Sequence, residues 1–183
     1  MVDDASILHV EHTDEGVLRL TMDDQQSRNA LSEIMMKSLI EELTKVSSND
    51  AVRVVVIASN GPVFSAGHDL KEITEVRNQN DFGEEYFKKL FDTCSALMKL
   101  IVAYPKPVIA EVSGIATAAG CQLVASCDLA TSSDSAQFAT PGVNIGLFCS
   151  TPMVALSRNV SKKHAMEMLL TGDMINAKKA KEI

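Results

Sequence analysis

Two short segments of small residues stand directly behind apolar runs in this chain. Phe64-Ser65-Ala66-Gly67-His68-Asp69-Leu70-Lys71 follows Val54-Val55-Val56-Ile57, and Ala116-Thr117-Ala118-Ala119-Gly120-Cys121-Gln122 follows Pro107-Val108-Ile109-Ala110. Each reads as a strand, a tight turn and the start of a helix. The first turn of a helix leaves backbone N–H groups without partners, pointing outward. Two such turns brought together aim two N–H donors at one anionic oxygen and form an oxyanion hole.

The rest of the chain keeps up the alternation of strand and helix. Ile7 to Val10 and Val17 to Met22 read as strands joined through Asp14-Glu15-Gly16, a hairpin signal. Ser32 is the expected N-cap of a helix in which Ile34, Met35, Leu39, Leu43 and Val46 recur at helical spacing. Val52 to Ala58 is apolar apart from Arg53, which predicts a strand buried on both faces. Leu70 to Arg77 reads as helix, Asn78 to Phe82 as a polar break, and Glu84 to Ala103 as a long amphipathic helix. That helix carries Phe87, Leu90, Phe91, Cys94, Leu97, Met98 and Ile101 on one side. Further strands are expected at Val108 to Val112, Asp128 to Thr131 and Ala136 to Ala139. Further helices are expected at Gln122 to Ser126, Pro152 to Asn159, Lys162 to Thr171 and from Asn176 onward. The pattern is that of a single α/β domain over residues 1–183.

Composition narrows the partners. Apolar residues are 46% and charged residues 22% of the 183, ordinary values for a globular protein. A net charge of −7 argues against nucleic acid and against an anionic membrane surface. No run approaches the length of a membrane span. The acidic start Met1-Val2-Asp3-Asp4 lacks a targeting segment, so the reading places the protein in the cytoplasm or, as a mature form, in the mitochondrial matrix. Cys94, Cys121, Cys127 and Cys149 form no CxxC and read as reduced thiols. His9, His12, His68 and His164 form no HxxxH or HExxH pattern, so no metal site is expected. No GxGxxG follows the first strand, which disfavours a dinucleotide site.

Taken in order, these pieces resemble the crotonase (enoyl-CoA hydratase/isomerase) superfamily. The resemblance is carried by Arg28-Asn29-Ala30-Leu31, by Val55-Val56-Ile57 leading into Phe64 to Lys71, and by Lys106-Pro107-Val108-Ile109-Ala110 through Gly120-Cys121-Gln122-Leu123. Cys127-Asp128-Leu129-Ala130, Ala136-Gln137-Phe138 to Gly146, and Ala165 to Gly172 complete it. It implies a spiral of ββα units, no tightly bound cofactor, and a coenzyme A thioester as ligand. The thioester oxygen would lie between the backbone N–H groups of His68 and Ala119. It also places Arg28, Ala66, Asp69, Leu70 and Lys71 along the coenzyme, with Arg28 and Lys71 as cations near its phosphates. A homo-trimer or hexamer is implied where the later helices are present, because members of the family continue past the motif resembled by Ile175 to Ala180. The chain reads as ending ahead of those helices.

The acid and base of a hydratase are the points of departure. Hydratases of this family use two glutamates, and the matching positions here are Gln122 and Gly142. An amide orients water but takes no proton at neutral pH, and glycine offers no side chain. Other members place a carboxylate at the position of Ser150, again not an acid. Glu111, inside a strand, reads as an outward-facing or subunit-contact residue. Three readings stay open at this point: an acyl-CoA protein that stabilises an enolate without hydrating, an active hydratase or isomerase using other groups, and a binding module without catalysis.

Overall fold

The computed structural model describes residues 7–77 and 81–183. The acidic start and most of the expected polar break at Asn78 to Phe82 lie outside the described residues. Strands β1 (Leu8–His12) and β2 (Val17–Met22) form the expected hairpin. Then come α1 (Glu33–Val46), β3 (Val54–Ser59), β4 (Val63–Ser65), α2 (Leu70–Val76) and α3 (Glu84–Val102). They are followed by β5 (Val108–Val112), β6 (Ile115–Thr117), α4 (Ala119–Ser126), β7 (Leu129–Ser132) and β8 (Gln137–Ala139). The chain ends through α5 (Ser150–Asn159), α6 (Lys162–Thr171), β9 (Ile175–Asn176) and α7 (Ala177–Glu182).

Two sheets share these strands, ordered β1-β2-β3-β5-β7 and β4-β6-β8-β9. A strand of the first sheet, a strand of the second and then helix recur three times: β3-β4-α2, β5-β6-α4 and β7-β8-α5. This is a spiral of ββα units. Of the second sheet only β8 was legible, at Ala136 to Ala139; β4, β6 and β9 are two or three residues long and carry no full period of alternation.

Period-two alternation decides which face of the first sheet is covered. Leu18, Leu20 and Met22 of β2, Val55 and Ile57 of β3, and Val108, Ala110 and Val112 of β5 are fully buried. They share one core with Met35, Met36, Leu39 and Leu43 of α1 and Leu90, Cys94, Leu97 and Ile101 of α3. The buried Tyr104 hydroxyl donates to Leu43 O at 2.7 Å, tying the end of α3 to α1. Burial of β3 on both faces is not found: Val54 and Val56 are only half-buried on the outward face. Ile34 is also corrected, being 65% exposed, while Met36 faces the core instead. Ser32 caps α1 as expected, its hydroxyl accepting from Met35 N at 3.2 Å.

Candidate active site

The short second sheet sets the ends of its strands side by side, with Ser65 against Ala116 and Thr117 against Ala139. Both small-residue turns leave that sheet at the carboxyl ends of β4 and β6, the edge where α/β sheets bind ligands. The turns touch. A Cβ built on Gly67 would lie 2.9 Å from the Ala118 methyl and 3.1 Å from Ala119 N. Gly67 also has φ +92°, so both space and backbone conformation require glycine. At Gly120 a Cβ would overlap the Ser65 carbonyl, so α4 starts hard against β4.

Most polar backbone groups here are spent holding the turns together. Leu31 N donates to Gly67 O at 2.7 Å, Ala66 N to Arg28 O at 3.2 Å, and Ala118 N to Ala139 O at 3.0 Å. The Thr117 hydroxyl donates to Ala66 O at 3.2 Å, one turn bonding directly to the other. Among the described residues, the backbone N–H groups of His68 and Ala119 have no acceptor. Ala118, just ahead of that second N–H, stands at φ +51° and ψ −120°, a conformation that costs a residue with a Cβ about 1–3 kcal/mol. The sequence motif pointed to the two turns. It gave no sign of this strain.

Two side chains beside these donors keep an unused acceptor. The His68 ring is packed edge-on against Phe91, with centroids 5.6 Å apart, and its Nδ1 lies 3.3 Å from Leu31 O. A carbonyl only accepts, so the proton sits on Nδ1 and Nε2 carries the lone pair. Burial holds the imidazole pKa below its ordinary value, partly offset by the Leu31 bond. Its Nε2 is buried without a partner. Gln122, one turn along α4 from Ala119, is itself buried with Oε1 unpaired. A buried acceptor without a donor costs about 1–3 kcal/mol.

The expected coenzyme contacts are distributed around the first turn. Arg28 is exposed at the left-handed end of a 3-10 turn over Gln25–Ser27, with φ +59°. Lys71 is exposed on α2, and neither cation forms an ion pair among the described residues. Asp69 caps α2: its Oδ1 accepts from Lys71 N at 2.7 Å and from Glu72 N at 3.4 Å. Leu70 is 62% exposed. Asn29, to which sequence reasoning assigned no role, is what locks this loop. Its amide donates to Asn60 O and Val63 O at 2.9 and 2.7 Å and its Oδ1 accepts from Asp24 N at 2.7 Å.

The remaining positions offer no acid near the turns. Gly142 lies in a 3-10 turn (Pro141–Ile145) that follows directly on β8, and its N–H lies 3.3 Å from Cys149 Sγ. A Cβ there would be 2.8 Å from both Cys149 Sγ and Leu147 O, so the site is too tight for a larger residue without movement. Ser150 opens α5 and is exposed. Glu111 faces outward and pairs with Arg19 of β2 across β3, which keeps its carboxyl below the ordinary range. Burial pushes the thiol of Cys94 up to about 11 and those of Cys121 and Cys127 up to about 12, so none of the three is a nucleophile at neutral pH. A cavity of about 250 Å³ is lined from α4 by Cys121, Val124 and Ala125, the helix face opposite Ala119 and Gln122.

Comparison with known proteins agrees with this fold. A sequence model described as "Enoyl-CoA hydratase/isomerase" matches residues 12–183. The mouse (Mus musculus) protein named "Enoyl-CoA hydratase domain-containing protein 3, mitochondrial" is 50% identical over 166 residues, covering 91% of this chain and 54% of its own length. The chain thus spans about half the length of that relative. A crystal structure of an enoyl-CoA hydratase from Mycobacterium smegmatis superposes with a TM-score of 0.89 at 50% identity, covering 96% of this chain and 66% of that one. The structure of human enoyl-CoA hydratase domain-containing protein 3 gives 0.88 at 48% identity, covering 95% and 66%.

Proposed function

The chain belongs to the enoyl-CoA hydratase/isomerase family, and from that premise we propose that it binds acyl-CoA thioesters without being a competent hydratase. The thioester oxygen sits between the N–H groups of His68 and Ala119, Arg28 and Lys71 meet the coenzyme phosphates, and no tightly bound cofactor takes part. What carries this reading is a pair of unspent N–H donors on two turns that touch. Fixed donors favour the oxygen most when it becomes an enolate, and each is worth about 3–4 kcal/mol in the barrier. The reaction class is accordingly one limited by enolate stabilisation, such as decarboxylation or thioester cleavage, in fatty-acid and acyl-CoA metabolism. The mouse relative's name places that protein in mitochondria, and we extend the location to this chain. The proposal includes assembly of single-domain subunits as a homo-trimer or hexamer where the later helices are present.

On this reading hydration is slow because of what occupies the acid and base positions. Gln122 moves no proton at neutral pH and Gly142 has no side chain. Each missing acid or base typically contributes about 10²–10⁴-fold. Crotonyl-CoA hydration is therefore expected at least about 10⁴-fold below a two-glutamate enzyme, while coenzyme A raises the melting temperature. Hydration at about 1–10³ per second would overturn the reading, as would coenzyme A that shifts nothing. Gln122→Glu is the restoration to try first, since the crowded Gly142 position resists a larger residue.

A further inference from the structure

Among the described residues only three buried side-chain polar atoms lack a partner: Ser59 Oγ, His68 Nε2 and Gln122 Oε1. Two of the three belong to the pair of touching turns. His68 is itself one of the proposed donors, and Gln122 lies one helical turn from the other. Both atoms are acceptors. The site therefore presents two N–H donors from main chain and, beside them, two acceptors from side chains.

The acceptor on His68 is held in place from two sides. Its Nδ1–H is committed to Leu31 O at 3.3 Å, and Leu31 N is in turn bonded to Gly67 O at 2.7 Å, so the ring is anchored to the turn's own backbone. Phe91 packs perpendicular to it and stacks on Phe87 with centroids 6.5 Å apart. Phe91 is itself 46% exposed, so the ring lies behind a side chain that borders solvent. Gln122 is held on a helix whose second residue, Gly120, packs against β4. An aliphatic acyl chain would leave both acceptors unpaired. A chain bearing an O–H close to the thioester supplies the missing donor.

We propose that the His68 imidazole selects the acyl group, Nε2 accepting a hydrogen bond from a hydroxyl carried near the thioester, so that hydroxyacyl-CoAs bind in preference to plain alkanoyl-CoAs. This rests on the reading that the thioester oxygen occupies the two N–H donors, which sets the acyl carbons beside the ring. Sites with a buried unpaired acceptor reject ligands that leave it so. No proton is transferred: the hydroxyl keeps its hydrogen and the ring stays neutral.

Calorimetric titration of the whole chain with coenzyme A, butyryl-CoA and each enantiomer of 3-hydroxybutyryl-CoA tests it. One hydroxy enantiomer is expected to bind about tenfold more tightly than butyryl-CoA. His68→Leu is expected to abolish that ratio, and His68→Gln, which keeps an acceptor, to restore most of it. Equal affinity for the hydroxy and plain thioesters in the unaltered protein overturns this inference alone. A ratio that survives in His68→Leu overturns it too, passing the role to Gln122. Failure of every coenzyme A compound to bind overturns the parent reading and this one with it.

Discussion

Ala118 is the residue at which local and global demands conflict. Its φ of +51° is one that glycine adopts freely and alanine does not, yet it precedes an N–H that must stay unbonded. Ala118→Gly relieves about 1–3 kcal/mol of strain and gives back about 0.5–1 kcal/mol through the looser unfolded chain. The variant is expected to be more stable by about 1 kcal/mol in urea unfolding; a loss would mean the alanine conformation is not strained. His68 gives a second expectation. Its folded pKa lies below the ordinary 6.5, so between those two values the unfolded chain binds more protons than the folded one. Stability is therefore full above pH 6.5 and falls as the pH drops below it. In melting curves from pH 7.5 down to 5, the native protein is expected to lose ground against His68→Gln. Parallel curves would contradict the burial argument.

At the scale of elements, short pieces do the positioning. The helix α2 has seven residues and owes its start to Asp69, which holds two of its first N–H groups. Asp69→Ala is expected to cost about 1 kcal/mol and to speed amide exchange in α2 while leaving α1 protected; unchanged exchange in α2 would deny the cap its role. This is also the scale at which the sequence was most and least legible. Helices α1, α3 and α6 stood out because many residues repeat one period and end in clear signals, Ser32 at one end and Gly172 at another. The strands β4 and β6 did not, though they bring the two turns together, because three residues cannot show a pattern. The continuous apolar run of β3 read as two buried faces, whereas its outward valines are half-covered and flanked by the Arg19–Glu111 pair. Of the site, the two turns could be read directly from their small-residue segments. The unpaired atoms of His68 and Gln122 could not, since burial is a property of the packed chain.

The whole molecule is a ββα spiral whose second sheet presents two helix-initiating turns at one edge, and the proposed acyl-CoA role rests on what those turns hold. The chain spans 54% of the length of its mouse relative, so assembly and catalysis are read from the part that carries the turns. The claim at the centre is that two main-chain N–H groups grip one carbonyl oxygen. Hydrogen bonds of that kind weaken the carbonyl bond, which makes its vibration the direct reporter. Difference infrared spectroscopy with crotonyl-CoA carrying carbon-13 at the thioester carbonyl measures it on the bound ligand. The account requires that band to move to lower frequency than in solution; a ligand that binds with its carbonyl band unmoved contradicts it.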